Sequence, residues 1–337
     1  MRSIQRVQRV VVRLMIALAA LAALGASYQV VATKLDQRTH PPPGRRVDVG
    51  GHFLHVHCVG AGHPTVILEA ALPGGSAHWG WVQPQVASVT RVCAYDRAGM
   101  GWSDAGPRPR DARQIVRELH ALLEKAQIDG PYVLVGHSFG GLYARVYSAT
   151  YPEAAAGVVL VDSSHPDQWT RLPAEAVAGA IPGERLLAIA PLLAGLGLTR
   201  ALSFFPVDPN LPAPQQVAIK SFHATTQFVT ANVGELLAIK ASSAQAGTAG
   251  SLGTKPLIVV TAAHSFTELP TELATRTGQV WVELQKELAS LSSNALHRVA
   301  DGATHTSLVF RLSDARWTIE AILQVVKAVR TQQPLVQ

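Results

Sequence analysis

The stretch Pro131-Tyr132-Val133-Leu134-Val135-Gly136-His137-Ser138-Phe139-Gly140 constrains this chain more than any other. An apolar, β-branched run ends on a glycine, and a helical pattern resumes just beyond the serine. A strand that turns this sharply into a helix needs small flanking residues, because the two backbones approach closely and the middle residue is strained. The turn lifts the Ser138 hydroxyl clear of the strand end. It also sets the Phe139 N–H at a helix start, where free donors and the helix dipole favour a developing anion. The plainer alternative is a solvated serine in a glycine-rich turn.

The flanking sequence repeats the same alternation. Residues 47–59 predict a hairpin turning at Gly50-Gly51. Residues 65–70, 90–95, 131–136, 157–162, 256–262 and 295–300 predict strands, several of them unbroken apolar runs of the kind buried on both faces. Helical spacing appears over 111–127, with Asp111 as a cap and Ile115, Leu119, Leu122 and Leu123 on one stripe. It recurs over 139–150, 270–292 and 313–330, the last with Ile319, Ile322, Leu323 and Val326. A hairpin followed by strand–helix units predicts an α/β fold with a mostly parallel sheet and helices on both faces. Residues 164–253 interrupt the pattern and read as an inserted helical cap over the sheet's C-terminal edge, where ligands bind in open α/β sheets. The core is then 47–163 together with 254–330.

The N-terminus reads as an address. Between Arg13 and Lys34 lie 20 uncharged residues, enough for a helix of about 30 Å, the thickness of bilayer hydrocarbon. We read 1–13 as a basic segment, 14–33 as a transmembrane anchor, and 34–46 as a linker made stiff by Pro41-Pro42-Pro43. A cleaved signal peptide is the alternative, and a soluble helix a third. Four arginines before the apolar run keep the N-terminus inside and predict export of the rest, periplasmic or extracellular, or secretion after cleavage. This segment also accounts for the charge. Residues 1–46 hold eight Lys/Arg against Asp36 alone, so the whole-chain net charge of +6 leaves −1 for the globular part. A nucleic-acid partner, which needs clustered cations on the folded surface, is therefore not expected.

A serine hydroxyl is a poor nucleophile without a base. In this architecture the order along the chain is serine, acid, histidine. His305, in Gly302-Ala303-Thr304-His305, lies between the last strand and the last helix, where the base is needed; His297 sits in a strand and His223 in the cap. The plainer reading of His305 is a surface histidine.

With LEAALPGGSAHW (68–79), RVCAYDRAGMGWSD (91–104), PYVLVGHSFGGLYARVY (131–147), VVLVDSSHPD (158–167) and GATH (302–305), the chain resembles the α/β-hydrolase superfamily over about residues 45–330, and most of all its membrane-anchored or exported serine hydrolases. The resemblance implies an eight-stranded sheet, an acyl-enzyme on Ser138, and a second oxyanion donor from the loop after the third strand. That donor would be the Leu72 N–H, beside Phe139. The family often has His-Gly where Ala70-Ala71 stand. A second departure concerns the acid: the usual Asp after the next-to-last strand is replaced by Ser265. Asp162, at the end of the strand after the nucleophile helix, is our expected acid, since some relatives such as haloalkane dehalogenases carry it there. Glu268 is the alternative. Asp96, in a glycine-rich turn, reads as structural. The resemblance also makes the strands of Cys58 and Cys93 neighbours. Export would then allow a disulfide between them, with two separate buried thiols as the other reading.

His52, His55 and His57 beside Cys58 do not amount to a metal site, because no carboxylate lies at ligand spacing; a histidine-rich exposed strand is expected instead. No metal and no cofactor are expected. The leading function is hydrolysis of a small-to-medium hydrophobic carboxylic ester, the apolar cap (Leu192, Leu193, Leu196, Leu198, Phe204, Phe205) either holding the substrate or simply packing onto the core. Serine at 138 argues against epoxide hydrolysis and dehalogenation, which use a carboxylate nucleophile in relatives of this type. The alternatives are another acyl bond (amide, thioester or carbon–carbon), a non-catalytic binding protein on the same fold, or a structural role at the membrane.

Overall fold

The computed structural model describes residues 2–178 and 181–336; Gly179 and Ala180, inside the expected cap, lie outside the described residues. In chain order the elements are α1 (Arg2–Thr39), β1 (Arg45–Asp48), β2 (Phe53–Val59), β3 (Thr65–Glu69), α2 (Val82–Ala87), β4 (Val92–Tyr95), α3 (Ala112–Lys125), β5 (Tyr132–His137), α4 (Gly140–Thr150) and β6 (Ala155–Val161). The cap follows as α5 (Gln168–Arg171), α6 (Ala174–Val177), α7 (Glu184–Gly195), α8 (Leu198–Ala201), α9 (Ala213–His223), α10 (Thr226–Leu237) and α11 (Ile239–Gly247). The chain then returns through β7 (Leu257–Ala262), α12 (Thr271–Ala289), β8 (Ala295–Ala300), α13 (Ser307–Phe310) and α14 (Leu312–Thr331).

The eight strands form one sheet in the order β1-β2-β4-β3-β5-β6-β7-β8. Pairings β1/β2 and β2/β4 are antiparallel and the rest parallel. The first hairpin turns where Asp48 Oδ1 accepts the N–H groups of Gly50 (2.8 Å) and Gly51 (2.9 Å). Both glycines have positive φ, which a side chain would oppose. Strand alternation then sorts the core. On β5, Leu134 packs with Ile115, Leu119 and Leu122 of α3 and Leu142 of α4, whereas Val133 and Val135 face Ile322 and Val326 of α14 and Val82 and Val86 of α2. Asp111 caps α3 by accepting the Gln114 N–H at 2.9 Å.

Two features differ from the sequence reading, and a third decides between its two alternatives. The first helix does not stop at Thr33: it runs unbroken through Lys34 to Thr39, and only then do the prolines end it, so the first part of the expected linker is helical. Its Ile4–Thr39 portion is long and apolar enough to cross a membrane, with a mean hydropathy of 2.2 over its most apolar window. The histidine-rich strand is not exposed throughout, because His55 is completely buried and its Nδ1 bonds Asp96 Oδ2 at 2.8 Å. Asp96 also accepts the N–H groups of Ser76 (2.6 Å) and Trp102 (3.1 Å). Burial raises the Asp96 carboxyl, but these bonds and the His55 charge outweigh it and hold it below the usual value. Finally, Cys58 and Cys93 are register partners across β2 and β4, and the two are joined in a disulfide. Closing a loop of 35 residues stabilises the fold by roughly 2–4 kcal/mol. Cys93→Ser is accordingly expected to lower the urea midpoint. The unfolded wild-type chain should take up an alkylating reagent only after reduction, as read by intact mass.

Candidate functional site

The site assembles at the C-terminal rim of the sheet because β5 and β6 end level with each other. His137 and Val161 are register partners, and the next residues, Ser138 and Asp162, both leave their strands with positive φ, +54° and +40°. Non-glycine residues pay of order 1–2 kcal/mol for that conformation, so the surrounding structure must hold it. Ser138 N–H bonds the Val161 carbonyl at 3.1 Å, and the Ser138 carbonyl accepts from Gly141 and Ser164, each at 3.0 Å. Asp162 N–H bonds the Val260 carbonyl at 2.6 Å. The glycines of the motif have a steric reason. A methyl on Gly140 would strike the Glu69 carbonyl of β3, and one on Gly136 would meet the Gly140 backbone at 2.5 Å.

Asp162 is fully buried and all of its lone pairs are directed. Oδ1 accepts from the Ala262 N–H (3.0 Å) and the Trp281 indole N–H (2.8 Å). Oδ2 accepts from the Ser265 hydroxyl at 2.6 Å and meets His305 Nδ1 at 2.6 Å. Burial alone would raise this carboxyl; the hydrogen bonds and charge of His305, with Ser265 and Trp281, overcome it and hold the group below the usual carboxylate value. His305 follows β8 on a turn whose carbonyl is bound by His137 Nε2 at 3.0 Å, with the two rings 4.8 Å apart. Among the described residues His305 Nε2 makes no hydrogen bond, to Ser138 or to any other group. Ser138, His305 and Leu72 line one cavity of about 470 Å³, closed on the cap side by Pro206, Val207 and His223. Among the described residues the Leu72 and Phe139 N–H groups donate no hydrogen bond within the protein. Glu268 is exposed and takes no part in this network.

Sequence reasoning missed four contributors. Ser265 stands where the family's acid usually is, and it serves the acid from the neighbouring strand; its alignment was the available signal. His137 fills the variable position of the serine motif and anchors the His305 turn. Trp281 comes from α12, and nothing in its local sequence announces a contact with Asp162. Arg97 is the fourth. It is completely buried and its Nη1 and Nη2 donate to the carbonyls of Ala70 (2.8 Å) and Ala71 (2.9 Å), the two residues ahead of Leu72. It is paired with Glu69 Oε1 at 2.8 Å and with Glu235 Oε1 of the cap at 3.0 Å.

Burial around the cavity predicts a pH profile. Desolvation pushes the imidazoles of His137 and His223 down to about 3 and that of His78 down to about 4, from 6.5. Below pH 6.5 the unfolded chain binds protons that the folded chain refuses, so these three groups make stability fall as the pH drops. Glu69 acts oppositely: burial pushes it from 4.5 up to about 7, and its contribution is lost as pH rises toward 7. Three imidazoles outweigh one carboxyl on the acid side. Thermal melts are therefore expected to show a midpoint that falls as the pH drops from 7 to 5 and changes little between pH 7.5 and 8.5.

Comparisons with known proteins agree with this architecture. A family model described as alpha/beta hydrolase fold matches residues 64–194. 2-Hydroxymuconate semialdehyde hydrolase of Pseudomonas sp. (strain CF600) is 36% identical over 134 residues, which is 37% of this chain and 44% of that protein. An uncharacterized vacuolar membrane protein of Saccharomyces cerevisiae (strain YJM789) is 36% identical over 88 residues, 25% of this chain and 14% of that protein. This chain thus spans less than half the length of either curated relative. The crystal structure of DBJA superimposes with a TM-score of 0.64 at 18% identity, covering 86% of this chain and all of that one.

Proposed function

Because the chain belongs to the α/β-hydrolase superfamily and resembles hydrolases, we propose that it is a serine hydrolase that cleaves a hydrophobic carboxylic ester through an acyl-enzyme on Ser138. The observation that carries this reading is the 2.6 Å contact between His305 Nδ1 and a buried, fully bonded Asp162, beside a cavity that His305 shares with Ser138.

In this scheme Ser138 Oγ attacks the ester carbonyl carbon while its proton passes to His305 Nε2. The Nδ1–H of the resulting imidazolium stays bonded to Asp162, which fixes the tautomer and stabilises the cation. Negative charge develops on the carbonyl oxygen, where the Leu72 and Phe139 N–H groups receive it. Collapse expels the alcohol, which takes the proton from His305. Water then repeats the sequence on the acyl-enzyme, with His305 again the proton acceptor, and releases the acid. No cofactor enters any step.

The test is an activity-based fluorophosphonate probe on the full chain. Wild type is expected to label and Ser138→Ala is not; an unlabelled wild type would favour the non-catalytic binding reading. A second reading keeps Ser138 but changes the scissile bond, and similarity to a protein named as a semialdehyde hydrolase keeps it in play. A panel of p-nitrophenyl esters of rising chain length separates the two, because a probe-reactive enzyme that turns over none of them is not an esterase. We further read α1 as a membrane anchor with the hydrolase domain exported, a placement the Cys58–Cys93 disulfide supports.

A further inference from the structure

Within the uncharged stretch of α1, Gln29 carries the side chain that a bilayer tolerates least, since an amide left unpaired in hydrocarbon costs several kcal/mol. Yet Gln29 is 3% exposed. Its Nε2 donates to the Ala224 carbonyl of the cap at 2.7 Å, and its Oε1 accepts from Arg200 Nε at 3.1 Å. Arg200 also pairs with Asp36 at 2.6 Å. Nearer the N-terminus, a methyl on Gly25 would strike the Leu196 carbonyl at the end of α7. The cap is therefore fastened along the C-terminal half of the segment read as the membrane anchor. Gly25 lies nine residues before Lys34, so Leu196 sits about 13 Å along the helix from the first charge that follows the apolar run.

At that level α7 presents apolar side chains outward. Ile189, Leu192 and Leu196 are spaced three and four apart and share a face. Leu196 meets α1, while Ile189 and Leu192 are 48% and 63% exposed. Leu198 and Leu202 of the next turn are 43% and 73% exposed, and Phe204 is 61%. Leucines that leave water only at a depth where α1 is itself in lipid have an obvious solvent there. This face also leads inward. The cavity at Ser138 shares Pro206, Val207 and His223 with a groove of about 510 Å³. That groove shares Thr199, Phe204 and Phe205 with an apolar pocket of about 210 Å³ beneath α7 and α8. Arg200 and Ala224, the residues that hold Gln29, line the same groove.

We propose that the exposed apolar face of α7 and α8 is a bilayer-docking surface continuous with α1, and that the substrate is a membrane-resident ester whose apolar arm enters sideways from the lipid along the Phe204–Phe205 groove toward Ser138. The substrate half of this statement rests on the serine-hydrolase reading above; the docking half rests only on the reading of α1 as a membrane anchor.

The experiment uses the full chain in phosphatidylcholine vesicles. Both native cysteines are bridged, so a single introduced thiol at Ile189→Cys or Leu192→Cys takes an environment-sensitive fluorophore specifically. Leu18→Cys in α1 and Glu320→Cys on exposed α14 are the references. Lipids spin-labelled in the acyl chain are expected to quench positions 189 and 192 at least half as strongly as position 18, and to leave position 320 unquenched. Quenching at 18 without quenching at 192 overturns the proposal, and does so equally if position 192 is shielded from water without being reached by the lipid quencher, as a second copy of the chain would shield it. In the second arm, Ile189→Glu/Leu192→Glu is expected to keep the wild-type rate on soluble p-nitrophenyl butyrate and to lose roughly tenfold on a long-chain fluorogenic ester embedded in the vesicles, about 1.4 kcal/mol. Equal losses on both esters overturn lateral entry. If the wild type hydrolyses neither ester, the esterase reading fails while the quenching result stands on its own.

Discussion

Asp162→Asn is expected to lower kcat on a p-nitrophenyl ester by about 10⁴-fold, whereas Glu268→Gln leaves it at the wild-type value. The reason is geometric. Asp162 Oδ2 faces His305 Nδ1 at 2.6 Å, and Oδ1 is already held by the Ala262 and Trp281 N–H donors. An amide of the same shape that keeps its oxygen toward those two donors turns its NH₂ toward His305 and Ser265. His305 must then present a lone pair at Nδ1 and carry its proton at Nε2, where it can no longer accept from Ser138. Ser138→Ala removes the nucleophile and is expected to cost about 10⁶-fold, and the Ser138→Ala/Asp162→Asn pair about the same as Ser138→Ala alone, since the groups act as a unit. Steady-state rates for the four variants are the measurement. An Asp162→Asn enzyme with full activity would remove the acid assignment.

The fold was legible because its signals are local. The five central strands, β3 to β7, are short apolar runs bounded by breakers, and the long helices beside them show a 3.6-residue stripe or a cap such as Asp111. Ser138 and His305 were legible for a related reason: a nucleophile turn and a base loop are defined by neighbouring residues and by order along the chain. The acid was only half legible. Asp162 and Glu268 are both carboxylates near a strand end, and what separates them is the lateral register of β6 against β7, which brings Ser265 and Ala262 to Asp162. Register also decided the cysteines, which are opposite each other across β2 and β4. His55 looked exposed because its partner, Asp96, is 41 positions away. Arg97 was read only as part of a turn, for its partners lie in β3 and in the cap.

Arg97→Met is expected to destabilise the protein by about 3–5 kcal/mol, read as a fall in the urea midpoint. Among the described residues the guanidinium is the sole cation paired with two buried carboxylates, Glu69 and Glu235, with Tyr95 hydrogen-bonded to Glu69 and Tyr143 donating to Glu235 at 3.3 Å. Even with Arg97 present, burial carries Glu69 up to about 7, so the shared guanidinium does not fully offset the desolvation of Glu69. Without it both carboxylates lose their counter-charge and the Ala70 and Ala71 carbonyls lose their donors. A purely structural role would be repaired by removing the stranded charges: Arg97→Met/Glu69→Gln/Glu235→Gln should recover much of the lost stability. It should not recover kcat, because the loop that presents the Leu72 N–H is still unheld, and loss of an oxyanion donor lowers turnover by about 10²–10³ with little change in KM. Arg97 is thus a positioning residue whose effect divides between two readouts. Stability rescued together with kcat would show that the Leu72 loop stands without it.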